Sequence, residues 1–235
     1  MAWPSDWHVL RRSPRKGTFR GDRFEPRPRA FSDWKHNLIP DFSTHWQYGD
    51  VVLYAPKDPD LYDMAIMEFQ GKNLVRHHAS WTHVGIYVGD GEVCESVPDL
   101  GVGSHSIAEW FEDGEIRVRR LRGVSAAGQI RIMKDALSWC RLPYSYTKAA
   151  LAASFNQLPD WMLEKLKERD LGDDAMYCAE LIERAYVSAV DVSVRTDQLP
   201  LVVPASYSMS PFFEEADVGW RGVDPGARSA GVSTR

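Results

Sequence analysis

The sequence predicts an α+β fold, on three observations. Strand-like runs of β-branched and aromatic residues gather between Gly49 and Leu121, apolar residues recur at helical spacing between Ser125 and Val190, and the two kinds of segment do not alternate. The chain has 235 residues, of which 44% are hydrophobic and 26% charged, with 17 Gly and 14 Pro. That is the composition of an ordinary globular protein with one core. No internal repeat is visible. The apolar runs fall well short of the roughly 18 residues that a membrane-spanning helix needs, so no transmembrane segment is expected.

Taken in order, Gly49-Asp50-Val51-Val52-Leu53-Tyr54 reads as a strand leaving a turn and ending at the Pro56 to Pro59 punctuation. Leu61 to Gln70 reads as a short helix. Thr82 to Val88, the loop Gly89-Asp90-Gly91 and Glu92 to Ser96 form a β-hairpin signal, because Asp-Gly between β-branched runs favours a tight turn. Ile116 to Leu121 supplies a third strand. Ser125 is placed to cap a helix that runs to about Cys140, with Met133, Ala136, Leu137 and Cys140 on one face. Further helices are expected at Thr147 to Gln157 and Pro159 to Arg169. In the helix from Tyr177 to Val190, Cys178, Leu181, Ile182, Ala185, Tyr186 and Ala189 form the apolar stripe.

The ends differ from this body. Between Val9 and Arg29 there are eight Lys or Arg residues against Asp22 and Glu25, a local charge of +6 in a chain whose total is −5. With Pro14, Pro26 and Pro28 and few apolar residues, residues 1–45 read as a basic, largely extended arm. Contact with a polyanion and a merely solvated or folded-back tail are both open. Basic and aromatic residues do not alternate there as a nucleic-acid platform requires, so no nucleic acid is expected as a partner. The Gly-, Ser- and Ala-rich residues 216–235 read as a flexible tail, leaving 46–215 as the folded body. The first ten residues carry no apolar h-region, which points to synthesis in the cytoplasm and, if the protein leaves the cell, to a leaderless secretion route.

Three cysteines, Cys94, Cys140 and Cys178, form neither a disulfide ladder nor a Cys-x-x-Cys pair, and no metal or other cofactor is expected. Cys178 stands in the first turn of its helix, where unpaired N–H groups and the positive end of the macrodipole favour a thiolate. It also lies on the apolar stripe, so a core role competes. Cys140 and Cys94 read as structural. A nucleophilic thiol needs a base, and the base an orienting group. His8, His36, His45 and the loop residue His105 read as surface residues, and the adjacent His77 and His78 would point opposite ways in an extended strand. His83 is distinct, being a polar ring on the strand face opposite Val84, Ile86 and Val88, with Gly85 leaving room on its own side. A three-residue loop would set Gly85 opposite Glu95 and bring that carboxylate diagonal to His83. A two-residue Asp90-Gly91 loop would turn Glu95 to the Val84 face, and hydrophobic pattern does not choose between them.

The string His-Val-Gly-Ile-Tyr-Val-Gly-Asp-Gly from His83, with a polar Glu95 twelve positions after the histidine, resembles the His strand of the NlpC/P60 superfamily of papain-like cysteine peptidases. The order of segments is similar to that of its circularly permuted branch. Gly49-Asp50, Ser80-Trp81-Thr82-His83 and Tyr177-Cys178-Ala179-Glu180-Leu181 stand where that branch carries a Gly-Asp strand, a Ser-x-x-His strand and a late nucleophile helix. The likeness spans roughly Tyr48 to Pro211. It implies a papain-like fold in permuted order, an antiparallel sheet packed against helices, and the register that brings Glu95 to His83. It also implies Cys178 as nucleophile, His83 as base and Glu95 as orienter, with Tyr144, Tyr146 and Tyr177 lining the substrate cleft. Members that cut peptidoglycan carry Asp-Cys-Ser-Gly and often a third His, where this chain has Tyr-Cys-Ala-Glu and Glu95, a departure that bears on specificity.

The implied chemistry is acyl transfer through Cys178, with His83 moving the proton and the Cys178 backbone N–H at the helix start as oxyanion donor. Three functional classes are expected to compete. The first is an amidase or endopeptidase acting on peptidoglycan stem peptides, exported as an antibacterial effector with a carrier or immunity protein as partner. The second is a thioesterase, acyltransferase or lipid amidase with acyl or lipid substrates. The third is a non-catalytic binding module, against which the joint presence of Cys178, His83 and Glu95 argues.

Overall fold

The computed structural model describes residues 17–20, 23–26, 38–73, 78–107, 110–111, 114–154, 174–195 and 201–222. Its centre is a six-stranded sheet in which every neighbouring pair is antiparallel. The strands are β4 (Val51–Pro56), β5 (His83–Gly89), β6 (Glu92–Val97), β7 (Gly101–Ser106), β8 (Gly114–Leu121) and β9 (Phe213–Glu215), in the order β7-β6-β5-β4-β8-β9. Two small antiparallel pairs are separate from it: β1 (Gly17–Arg20) with β2 (Arg23–Pro26), and β3 (Leu38–Pro40) with β10 (Trp220–Gly222). The helices are α1 (Leu61–Asn73), α2 (Ala126–Ser138), α3 (Tyr146–Ser154), α4 (Cys178–Val190) and α5 (Pro204–Met209). The class is α+β, as the segregation of strands from helices predicts. The helix expected at Pro159 to Arg169 lies outside the described residues.

The sheet is covered on both faces, which is why Val51-Val52-Leu53 shows no polar alternation. Val51, Leu53, Val84, Ile86 and Cys94 face α2 and α4 and join Ile132, Ala136, Leu181, Ile182 and Ala185 in one apolar cluster. On the other face Val52, Tyr87, Val93 and Val118 pack with Phe42, Trp46, Ile107, Trp110 and Phe111. Phe42 stacks on Tyr87 at 5.7 Å between centroids and meets Trp46 edge-on at 5.0 Å, both favourable aromatic geometries. Trp46 donates from Nε1 to the Val218 carbonyl at 2.8 Å, and Ala216 N–H bonds Val118 O at 3.0 Å. Residues 38–45 and 216–222 are thus part of the body, a correction to the boundaries drawn at 45 and 216. The Arg-rich run and the terminal Gly and Ser residues dominate composition there and mask Phe42 and the β3–β10 pairing. Ser125 caps α2 through its Oγ, as expected, and Ala136, Leu137 and Cys140 of the expected stripe pack on the core, with Gly128 and Ile132 buried beside them in place of Met133.

The hairpin of β5 and β6 combines features of both registers left open by the sequence. Asp90 and Gly91 have φ of 51° and 72°, the left-handed pair that a tight two-residue turn needs, and Gly89 pairs with Glu92. A bulge between Tyr87 and Gly89 then shifts the ladder, so that Tyr87 pairs with Val93 and Ile86 with Cys94. The shift returns Glu95 to the His83 face without exposing Val84 and Ile86.

Asp50, the polar half of the Gly-Asp motif, is structural. It is 1% exposed, accepts from Arg120 Nε at 2.8 Å, Arg120 Nη2 at 2.7 Å and Gln47 N at 2.8 Å, and Arg120 also holds the His45 carbonyl at 2.7 Å. Burial pushes the Asp50 carboxyl upward and the Arg120 pair opposes it. Asp50→Ala would strand the arginine and should lower stability by about 3 kcal/mol or more in urea unfolding, the cost of removing one partner of a buried pair.

Candidate active site

The candidate nucleophile owes its position to the three residues before it. Met176 accepts at its carbonyl from Ser96 Oγ of β6 at 2.7 Å and from Ser145 N–H at 3.0 Å, while its own N–H reaches Pro143 O at 3.1 Å. Lys148, 4% exposed, donates from Nζ to Ala175 O and to Glu180 Oε1, each at 2.9 Å. Tyr177 is the N-cap of α4, yet its hydroxyl goes into the core, to Val202 O at 2.8 Å, and no side chain caps the first turn. The positive end of the helix dipole therefore falls at Cys178, the first helical residue, which is 6% exposed. The helix body packs on α2, β5 and β6.

His83 opens β5 and is 6% exposed, and Glu95 on β6 is 2% exposed. Glu95 Oε2 accepts from His83 Nε2 at 2.5 Å. A carboxylate only accepts, so His83 carries its proton on Nε2 and Nδ1 is the nitrogen with basic capacity. The room expected beside Gly85 is filled by Trp110, whose ring meets the imidazole edge-on at 5.3 Å and 77°. A Cβ on Gly85 would stand 3.2 Å from that indole, so glycine is what lets Trp110 lie against the dyad.

A tyrosine cluster flanks the thiol. Tyr62 and Tyr144 share a hydroxyl–hydroxyl hydrogen bond of 2.5 Å, and Tyr144 meets Tyr146 edge-on at 5.0 Å. Burial raises the Tyr62 and Tyr144 hydroxyls above the usual phenol range, and negative charge on Cys178 adds to the effect at both, which places the thiol within electrostatic reach of the pair. Tyr146 is exposed, donates to Asp99 Oδ1 at 2.8 Å and accepts from Asp99 N–H at 3.1 Å. Of the three tyrosines expected to line a cleft, Tyr144 and Tyr146 stand together, Tyr144 buried and Tyr146 exposed. Tyr177 stands apart from them: it is buried and its hydroxyl donates to Val202 O, which fixes the start of α4.

Two contributors escaped sequence reasoning. Tyr62 stands 82 residues from Tyr144 on a helix with no distinctive motif. His105 is not in a loop but in β7, where Nδ1 donates to Glu95 Oε1 at 3.1 Å. The alternating Gly-Val-Gly-Ser-His-Ser run was its one local signal, disguised by glycine. Cys94 is a core residue as expected: it is fully buried, its Sγ lies 3.5 Å from Ala136 O, and burial first, then the neighbouring Cys140, pushes its thiol far upward.

No protein-family model matches the chain, and no curated protein is significantly similar to it. Among solved structures it is similar to the metalloprotein YiiX from Escherichia coli O157:H7, assigned to DUF1105, with a TM-score of 0.51 and 19% sequence identity. The likeness covers 72% of this chain and 95% of that one, and it establishes a shared fold. Among the described residues no three His, Cys, Asp or Glu side chains form a group that could hold a metal ion. No helix in them is long and apolar enough to cross a membrane.

The Lys148–Glu180 pair beneath the nucleophile gives a test of this arrangement. Lys148→Met should cost about 1–3 kcal/mol in urea unfolding, because Ala175 O and Glu180 Oε1 lose a buried donor while Arg184 Nη2, at 2.7 Å, still holds the carboxylate. Adding Arg184→Met, which takes away that second cation, should raise the loss to about 3–5 kcal/mol, the cost of an uncompensated buried carboxylate.

Proposed function

We propose that the protein is a cysteine hydrolase of the permuted NlpC/P60 kind, cleaving an amide by acyl transfer to Cys178. The observation that carries this reading is the buried His83–Glu95 hydrogen bond, which leaves His83 Nδ1 as a base, on the strands against which the Cys178 helix packs. In this scheme Nδ1 takes the thiol proton and the thiolate attacks the carbonyl, forming the C–S bond. The tetrahedral intermediate collapses with cleavage of the C–N bond, and the imidazolium gives its proton to the leaving amine. Water, deprotonated by His83, then releases the acyl group. The first-turn N–H groups of α4 supply the oxyanion site, and the Tyr62–Tyr144 pair forms its wall.

Peptidoglycan stem peptides are the substrate we assign first, on the likeness of the His83 strand and of the segment order to that superfamily, with Tyr-Cys-Ala-Glu in place of Asp-Cys-Ser-Gly bearing on which bond is cut. A second reading, hydrolysis or transfer of acyl or lipid groups, is favoured by Leu61, Met64 and Leu100, which are 72%, 47% and 70% exposed beside Tyr62 and the Tyr146 partner Asp99. Muropeptides incubated with wild-type protein should yield products whose mass names the bond. Cys178→Ala should show none, and His83→Ala should lower kcat by about 10²- to 10⁴-fold. Intact muropeptides together with Cys178-dependent turnover of acyl esters would select the second reading. Turnover that persists in Cys178→Ala would overturn both.

A further inference from the structure

We infer that His105 is a positioning residue for this chemistry, holding Glu95 by one oxygen so that the other is aimed at His83. The inference rests on the reading of Cys178 and His83 as nucleophile and base. Its ground is the way a buried carboxylate is shared between two rings. Glu95 Oε2 accepts from His83 Nε2 at 2.5 Å and Oε1 from His105 Nδ1 at 3.1 Å, with 3% of the Glu95 side chain and 17% of the His105 side chain exposed. Each oxygen has a donor on a different strand, β5 on one side and β7 on the other, so the plane of the carboxylate is set at both ends.

The local register is built for this. β7 pairs with β6 so that Val93 faces His105 and Glu95 faces Gly103. The position opposite Glu95 is therefore empty of side chain, and the His105 ring folds across it. A Cβ on Gly103 would lie 3.1 Å from His105 Cε1 and 3.2 Å from Nε2. The Trp110 indole also meets His83 edge-on, and Cys94, next to Glu95 in the strand, lies on the opposite face of the sheet. His105 thus meets a carboxylate, and its Nδ1 must be the protonated nitrogen because the carboxylate only accepts.

Removing that donor takes away the bond that holds Glu95 Oε1 to β7, which favours a protonated or rotated Glu95. His83 would then lose the partner that stabilises its imidazolium, and the Cys178 thiolate would lose its counter-charge. The effect is readable without knowing the substrate. Purified protein is alkylated with iodoacetamide across a pH series, and modification of Cys178 is followed by peptide mass spectrometry, which separates it from Cys94 and Cys140. Wild-type Cys178 should react well below the pH range of an ordinary thiol. His105→Ala should move that profile upward and slow reaction on its acid side about tenfold, the equivalent of one pKa unit. His105→Asn, which returns an N–H near the Nδ1 position, should restore most of the rate. Gly103→Ala, which crowds the ring but keeps it, should fall between. Should His105→Ala fail to fold, these last two variants carry the test. A His105→Ala profile equal to wild type, or a loss that His105→Asn does not repair, overturns the role of His105 and leaves the hydrolase reading standing. An ordinary thiol profile in wild type would instead remove the thiol–imidazole pairing, and this inference with it.

Discussion

The arrangement of the site depends on one carbonyl, that of Met176. A thiol at a helix start is useful only if the helix start is fixed in space, and a cysteine side chain is too short to correct an error in the backbone. Met176 O receives Ser96 Oγ from the sheet and Ser145 N–H from the segment leading into α3, so it ties the nucleophile to both halves of the molecule at once. Ser96 is the neighbour of Glu95 on β6 and points to the other sheet face. A single strand thereby sets the orienting carboxylate on one side and the nucleophile's anchor on the other. Lys148 reinforces the tie by bridging Ala175 O and Glu180, and Tyr207 OH holds Ala179 O at 3.0 Å. Positional accuracy of this kind comes from supporting bonds rather than from the reactive groups themselves.

Much of the architecture was legible because it is local. The Asp90-Gly91 turn, the Ser125 cap and the apolar stripe of α4 each announce themselves within a few residues. His83, Glu95 and Cys178 were legible as types in telling places, a polar ring and an acid among β-branched residues and a thiol at a helix start. The register that unites His83 with Glu95 was not, because it depends on the bulge at Val88, which a two-way choice of loop length cannot express. Tyr62 and His105 were hidden for a different reason. Each acts through a partner distant in sequence or across a strand, and neither sits in a segment whose composition marks it.

The sheet also shows why the chain's ends resist compositional reading. A sheet buried on both faces needs two coverings, and only one of them, α2 with α4, comes from strongly patterned sequence. The other is assembled from Phe42, Trp46, Trp110 and Phe111, aromatic residues drawn from two separate short segments. A few large side chains supply the area that a second helix layer would otherwise provide. The Trp110 among them does double duty, sealing the core and excluding water from the His83–Glu95 hydrogen bond, where low polarity strengthens the interaction.

The pairing of β3 with β10 has a consequence for how the chain is handled. Leu38 and Gly222 lie directly opposite each other in that ladder, so the first and last residues of the 38–222 body are neighbours. The connection between the two ends is therefore a matter of a few residues, and the cyclic order of elements from 38 to 222 is what the packing specifies, more than the point at which synthesis starts. A short linker joining 222 to 38 would close the 38–222 backbone into a loop that can be opened at another surface turn.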